Sequence, residues 1–278
     1  MISVLTLLAS CWCALLAVSA PGSVHDTAQM ARPDLNRIVE TLEAGTLLFR
    51  YPTGEDVRGH SHGVEIILGE GRQRCLFNGH FAGDEAMVRG PAVALATVRG
   101  GKIVALEITI GTPRQTRQPD LDLGTLDAVW VAAFFLEQVP RMSDDTAGDA
   151  MLGAVIAREA EVAAPLLAVV RDPSHGTDKR QSALFWAAVL ASEKALETLR
   201  DVILEEDEDM ELRESAVFAL SQMDRPDTLP LLMEIARDED VPQLQQAAFF
   251  ALAEYNTPEV VALFEEILLG NWDQTGAD

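Results

Sequence analysis

One amphipathic sequence segment, called the repeated line here, recurs at an almost fixed interval in the second half of this 278-residue chain. Its three copies read KRQSALFWAAV at 179–189, ELRESAVFALSQ at 211–222 and LQQAAFFALAE at 244–254. Matching alanines and phenylalanines recur within the copies, namely Ala183, Ala216 and Ala248, and Phe185, Phe218 and Phe250. The interval is typical of stacked helical repeats, in which each unit buries its apolar faces only against its neighbours.

A second set of apolar positions alternates with these copies and predicts a second helix in every unit. The positions recur at almost the same interval as the copies and comprise Leu167, Leu199, Leu232 and Phe264, and also Val170, Val202, Ile235 and Ile267. Each unit is therefore predicted to be a helix pair. In each pair we expect the alanines to let helices approach closely and the phenylalanines to fill the layer between helices.

The clearest repeat segments are RQSALFWAAV, RESAVFALSQ with DTLPLLMEIARDED after it, and QQAAFFALAE. They resemble HEAT-like repeats of the short bacterial type, which are also seen in phycobilisome lyase subunits. Pro165 and Pro230 lie in the first turn of a predicted second helix, where HEAT repeats often have proline. The resemblance covers about residues 145–270 and implies an α-solenoid that serves as a non-enzymatic binding scaffold. The first unit, about residues 145–172, departs most from the repeat pattern, because Gly153 stands where other units have a large residue. We expect this first unit to be a cap.

The first half of the chain has a β pattern instead. The segment 34–44 predicts a short helix ended by Gly45, and runs at 46–51, 64–68 and 74–77 predict strands. The runs AVALATV at 92–98 and IVALEITI at 103–110 are joined by Arg-Gly-Gly-Lys, which predicts a hairpin. The Pro- and Arg-containing segment that follows predicts a linker.

The predicted fold class is α+β and mainly α, with a C-terminal HEAT-like α-solenoid preceded by a small β-containing domain. The predicted divisions are a leader at 1–22, a helix-plus-sheet domain at 23–112, a linker at 113–125, helical repeats at 126–270 and a tail at 271–278. The repeats would comprise an apolar junction helix at 126–139 and about four helix pairs.

The first 24 residues carry no charged side chain, and Ile2 to Ala20 is almost wholly apolar. This pattern predicts a cleaved signal peptide, with Val18 and Ala20 before the cut. The run LASC also resembles a lipobox that would make Cys11 a lipid-anchored first residue, and a retained membrane anchor is the third alternative. All three alternatives predict an exported protein, periplasmic or extracellular, and removal of the signal would leave no membrane insertion.

The net charge of −23 is unevenly distributed, with −4 in residues 1–139 and −19 in residues 140–278. A surface this acidic repels nucleic acid phosphates and anionic lipid headgroups. We therefore expect no nucleic acid partner, and a basic protein or peptide is the predicted partner of a monomeric chain.

Acidic residues recur in the predicted second helices and suggest where that partner binds. Asp201, Glu234 and Glu266 occupy the same position in successive units and are named the acidic ladder here; their neighbours are Arg200, Met233 and Glu265. The HEAT-like resemblance implies that second helices line the concave face of the solenoid. The acidic ladder is thus predicted to dock a basic segment.

The alternative function is a ligand- or metal-handling, or lyase-like, protein with a site at the junction of the β domain and the first repeats. His60 and His62 could bind zinc or copper with His80 as a third ligand. The run GHSHG matches the nucleophile motif G-x-S-x-G around Ser61, but a predicted strand follows it where the motif requires a helix. Cys75 would be the one thiol left after the leader is removed. We predict no cofactor and no enzymatic activity.

Overall fold

The hairpin around Gly100 and Gly101 joins an edge strand of the main sheet to its neighbour in this computed structural model. The structure describes residues 33–60, 63–68, 73–77, 87–111, 118–190, 192–223, 225–237 and 240–275. Strands β5 (Ala92–Arg99) and β6 (Lys102–Ile110) pair antiparallel, with Arg99 opposite Lys102. The two glycines between them have φ of 56° and 70°, a region that L side chains rarely adopt. The predicted hairpin is confirmed.

Two more strands complete this sheet on its other side. Strand β1 (Ala44–Tyr51) pairs antiparallel with β5, and β7 (Leu121–Thr125) pairs parallel with β1, which gives the order β6-β5-β1-β7. A separate three-stranded sheet has the order β2-β3-β4. Its strands are β2 (Val57–His60), β3 (Gly63–Leu68) and β4 (Gln73–Phe77).

Strand β7 lies within the segment 113–125 that was predicted to be a linker, so that prediction is wrong for its last five residues. Polar side chains tie this segment to β1. Asp120 accepts hydrogen bonds from the backbone N and the Oγ1 of Thr46, both at 2.8 Å, and Arg50 pairs with Asp122 at 3.0 Å. These polar contacts add to the backbone pairing of β7 with β1, and a search for apolar periodicity does not detect them.

Two predicted boundaries also differ from the structure. Helix α1 (Leu35–Thr41) is shorter than predicted, because the chain is already extended at Leu42 and Gly45 belongs to β1. At the other end, the predicted tail at 271–278 begins as helix, since the last helix continues to Thr275.

Nine helices follow β7 in the described part of the chain. They are α2 (Ala128–Gln138), α3 (Asp144–Val155), α4 (Ala163–Arg171), α5 (Thr177–Val189), α6 (Glu193–Leu204), α7 (Met210–Ser221), α8 (Thr228–Arg237), α9 (Pro242–Leu252) and α10 (Pro258–Thr275). A 3-10 turn, Val139–Arg141, links α2 to α3. In the described residues, none of the helices combines the length and apolar composition that crossing a membrane requires.

The helices after α2 form four pairs, whose first helices are α3, α5, α7 and α9 and whose second helices are α4, α6, α8 and α10. Each first helix packs on the next, and the second helices α4, α6 and α8 each pack on the first helix that follows. Ala183, Ala216 and Ala248 are fully buried at the approach between helices, as predicted. The predicted mainly α fold, with a sheet preceding stacked helix pairs, is confirmed.

A repeated side-chain bond joins each of the last three first helices to the second helix before it. Arg180 Nε donates to the Val170 carbonyl at 2.7 Å, Arg213 Nε to Ile203 at 2.9 Å, and Gln245 Nε2 to Ala236 at 3.1 Å. These carbonyls lie in the last turn of α4, α6 and α8, where the helix supplies no partner of its own. The buried arginines thus cap the helix ends and favourably meet the negative end of the helix dipole.

The phenylalanines of the repeated line do not fill the layer between helices, so that prediction is wrong. Phe218 is 56% exposed, Phe250 is 71% exposed, and Phe185 is half-buried. In α7 the buried side chains, among them Ala216 and Leu220, lie on one arc of the helix, and Phe218 falls on the opposite arc.

We expect Phe218→Ala to change the free energy of unfolding by no more than about 0.5 kcal/mol, because an exposed ring has little packing to lose. Leu220→Ala, two residues along the same helix, removes a fully buried side chain and should cost several times more. Urea denaturation of both variants measures the difference. Equal losses would show that Phe218 packs as sequence periodicity predicted.

The sheet and α2 cover the first helix pair, so this pair is not itself the cap that the sequence suggested. Helix α3 packs on β6 and on α2, and Asp34–Asp278 forms one compact unit. Gly153 of α3 lies against the ring of Phe135 in α2 and accepts, through its carbonyl, a 3.0 Å hydrogen bond from Tyr51 of β1. The ring centroids of Tyr51 and Phe49 lie 6.0 Å and 5.8 Å from that of Phe135.

Candidate functional site

The acidic ladder lies on exposed positions of three second helices. Asp201 in α6, Glu234 in α8 and Glu266 in α10 are all exposed. Among their neighbours, Arg200 and Glu265 are exposed as well, whereas Met233 is half-buried and packs against the core. These positions are accessible to a partner, and the docking role of the ladder stays a prediction.

The charges of the ladder are not equivalent. Arg237, in the last turn of α8, lies 3.5 Å from a carboxylate oxygen of Glu266, which partly neutralises that residue. Glu234 instead lines a groove between α6 and α8, and Arg200 lines the same groove. Asp201 is one residue beyond Arg200 and does not line the groove, so the structure brings together Arg200 and Glu234.

This groove, named the acidic groove, has a volume of about 290 Å³. It is lined by Glu193, Leu196, Glu197 and Arg200 from α6, and by Arg225, Asp227, Pro230, Leu231 and Glu234 from α8 and the loop before it. Arg225 and Asp227 pair at 3.5 Å. That pairing leaves three glutamates against Arg200, so the groove favours a cationic occupant.

A larger groove, named the apolar groove, lies between α2 and the start of α4, with a volume of about 410 Å³. Its apolar lining comprises Val129, Ala132, Ala133 and Leu136 from α2, and Ala160, Val162 and Pro165 from the opposite wall. The charged residues that line it are all acidic, namely Glu137, Glu159 and Glu161. Its volume lies within the range typical of ligand pockets, about 300–1,000 Å³.

Both walls of the apolar groove are fixed by bonds outside it. The connection between α3 and α4 is held to the end of β1, since Gly54 N donates to the Ile156 carbonyl and Arg158 N to the Pro52 carbonyl, each at 3.1 Å. Helix α2 is capped by Asp127, whose carboxylate accepts from Trp130 N at 2.9 Å. Glu159, at the rim of the groove and next to the bonded Arg158, has φ of 59°, a conformation that residues other than glycine rarely adopt. The groove is therefore preformed.

The two grooves occupy the same register on the helices. The α2 residues that line the apolar groove, at 129, 132, 133 and 136, match one by one the α6 residues that line the acidic groove, at 193, 196, 197 and 200. Buried positions match in the same way, with Val131, Phe134, Phe135 and Gln138 against Ala195, Thr198, Leu199 and Val202. Helix α2 thus serves as an additional second helix, and we call α2, α4, α6, α8 and α10 the second-helix row.

Sequence reasoning missed this role of α2 and with it the apolar groove. The signal was present, because Phe135 precedes Leu167 by the same interval that separates Leu167 from Leu199. Apolar residues on most faces of α2 predict only a junction helix, and the element directly before it is a strand, so no first helix completes a pair with it. The sheet takes that place in the stack.

The residues of the metal and nucleophile alternatives are only partly described. His60 ends β2, opposite Gly63 of β3, while Ser61, His62 and His80 lie outside the described residues. Cys75 lies in β4, opposite Ile66. Over the residues that the structure describes, no group of three or more His, Cys, Asp or Glu side chains could hold a metal ion. Cys11 of the lipoprotein alternative also lies outside the described residues.

Comparison with known proteins finds similarity to a repeat family over part of the chain. A family model described as HEAT repeats matches residues 163–253 and 196–275, which together span α4 to α10. No curated protein matches the chain. The predicted HEAT-like repeats are therefore confirmed over residues 163–275, and HEAT repeats are typical of non-enzymatic scaffolds for protein interactions.

Proposed function

We propose that this HEAT-repeat chain is an exported, non-enzymatic scaffold that binds a basic protein or peptide segment along its second-helix row, the concave face in HEAT-like solenoids. The observation that carries this proposal is the placement of the acidic groove. It combines three glutamates, Arg200 and two leucines on the surface that also presents the acidic ladder. Export rests on the apolar N-terminal segment alone.

Charge supports a basic partner on physical grounds. Residues 140–278 carry 29 acidic and 10 basic residues, so the repeats have a net charge of −19. Such a field accelerates the approach of a cationic partner and orients it, an effect that salt screens. Apolar side chains within the grooves, such as Leu196 and Leu231, would supply the desolvated contacts that charge alone does not provide.

The test compares two variants that lose the same charge from different faces. We expect Asp201→Asn/Glu234→Gln/Glu266→Gln, in the full chain, to lose the envelope proteins that the wild type captures in a pull-down. The matched control, Asp145→Asn/Asp178→Asn/Glu211→Gln, changes three exposed carboxylates in the first turns of α3, α5 and α7 and should keep them.

Raising the salt to about 1 M, where the Debye length is about 3 Å, should release the same proteins. Equal capture by both triple variants would contradict the proposal, because the second-helix row would then be no more important than any other acidic surface.

A ligand-handling function is the second candidate, and one observation favours it. The apolar groove lies between α2 and the first helix pair, beside the junction with the β-containing part where this alternative places its site. The likeness to repeats of phycobilisome lyase subunits belongs to the same alternative and stays a prediction.

A further inference from the structure

Val129 marks the apolar groove as a surface that lacks a covering partner within the described residues. It lies in the first turn of α2, lines the groove and is 49% exposed. Beside it, Ala133 is exposed on the next turn of the same helix. Water is therefore in contact with apolar side chains here, and their burial by a partner would be favourable.

The rim of the groove restricts which apolar partner fits. Glu159 and Glu161 are exposed on the loop wall, and Glu137 lies on α2, where it accepts a 2.8 Å hydrogen bond from Asn36. A neutral or acidic segment that covered the groove would leave these carboxylates desolvated beside it. A segment with lysine or arginine next to its apolar residue can bury that residue against the apolar lining and pair its charge with the carboxylates at the rim.

We propose that the apolar groove takes the apolar anchor side chain of a basic segment from a partner protein, while basic residues farther along that segment occupy the acidic groove. This inference rests on the proposed function, since it names the partner's chemistry and its position on the second-helix row. The apolar groove supplies buried area, and the acidic groove supplies charge.

The spacing of the two grooves sets the spacing within the partner. Packed helices lie about 8–10 Å apart, so two successive steps from the α2–α4 groove to the α6–α8 groove cover roughly 20 Å. An extended chain advances about 3.3 Å per residue, so the anchor and the distal basic cluster should be about six residues apart.

Fluorescence anisotropy with three labelled peptides and the full chain tests this arrangement. The anchored probe carries one Phe flanked by Lys, then a spacer of about six Gly and Ser residues, a length set by the extended-chain rise, and then a Lys cluster. The second probe replaces Phe with Ser, and the third reduces the spacer to a single Gly. Ala133→Gln blocks the apolar groove without a change of charge, and Glu193→Gln/Glu197→Gln/Glu234→Gln neutralises the acidic groove.

We expect the wild type to bind the anchored probe about tenfold more tightly than the Ser probe, a difference of about 1.4 kcal/mol. Ala133→Gln should abolish this ratio and leave the affinity for the Ser probe unchanged. The matched control, Ala253→Gln at the exposed end of α9, should preserve it. The short-spacer probe should bind the wild type and the triple glutamine variant equally, because its Lys cluster does not reach the acidic groove.

The outcomes separate this inference from the function on which it rests. The proposed apolar anchor is contradicted if the wild type binds the Phe and Ser probes with equal affinity. It is also contradicted if the ratio of the two affinities is unchanged in Ala133→Gln. The scaffold proposal then still stands if the triple glutamine variant binds the Ser probe more weakly than the wild type does. Absence of binding by both probes, or binding that the triple variant leaves unchanged, overturns both proposals.

Discussion

Gly153→Ala should lower the free energy of unfolding by about 2 kcal/mol, although alanine is the better helix former. A Cβ at this position would lie 2.7 Å from Cε2 of Phe135 and 3.2 Å from the hydroxyl of Tyr51. Both rings are fully buried, and Tyr51 is also hydrogen-bonded to the carbonyl of Gly153 itself. Neither ring can move without disturbing the contact between the sheet and α3.

The matched control is Gly148→Ala in the same helix. Gly148 is half-buried, and its added Cβ would meet Ser182 Oγ at an ordinary distance of 3.7 Å. This change should stabilise the protein by about 0.5–1 kcal/mol, the usual gain for removing glycine from a helix interior. Urea denaturation of both variants measures the contrast, and a gain of similar size from both would show that α3 is not tightly packed at Gly153.

Arg180→Met should cost about 3 kcal/mol, because it breaks two interactions of one buried side chain. The guanidinium caps α4 through the Val170 carbonyl and also binds Glu208, with Nη1 lying 2.9 Å from Oε1. The methionine retains the apolar volume but leaves the carbonyl and a half-buried carboxylate without this donor. Thermal and urea unfolding measure the loss, and Arg200→Met, an exposed arginine, should stay within about 0.5 kcal/mol of the wild type.

The cost of Arg180→Met should depend on pH. The hydrogen bond from Arg180 lowers the pKa of Glu208 below its ordinary value of 4.5, so the folded state favours the ionised carboxylate. A depressed folded-state pKa contributes stability above the unfolded value and loses it as the pH falls through the folded value. The difference in free energy of unfolding between the wild type and Arg180→Met should therefore be constant near neutral pH and become smaller below about pH 4.5. If this free-energy difference stays constant below that pH, ionised Glu208 does not contribute to the cost of Arg180→Met.

The sequence predicted the stacking of helix pairs because the small residues of the repeated line must lie where helices approach. Ala183, Ala216 and Ala248 meet that requirement and are fully buried. Phe218 shows the limit of the same reasoning. An apolar residue in a helix that is apolar on several arcs has no fixed side, and only the packing of neighbouring helices determines which arc faces solvent.

The alignment of the first helix pair with the next shows another limit of prediction from sequence. Helices α3 and α5 begin at Asp144 and Thr177, so Gly153 corresponds to Trp186 of α5. The interval from Leu167 to Leu199 is shorter by one residue, so the two helices of a pair do not repeat at the same interval. The close contact of Gly153 with Phe135 and Tyr51 joins residues far apart in the chain, and no local pattern reports such a contact.

For the candidate site, the sequence placed Arg200 and Glu234 on neighbouring second helices but did not reveal the groove between them. A groove depends on how far apart two helices lie and on the loop that separates them. The apolar groove depends further on the bond between Gly54 and the Ile156 carbonyl, which spans two parts of the chain with unrelated periodicity.

The bonds that join the sheet to the helices also set the order in which the binding surface can form. The bond from Arg180 to Val170 spans 10 residues, whereas that from Thr46 to Asp120 spans 74. Closing a long loop costs more conformational entropy, so proteins with distant contacts fold more slowly. The repeats can therefore assemble from nearby contacts while the sheet is still open. Because a wall of the apolar groove is attached to the end of β1, we expect this groove to be completed after the repeats have stacked.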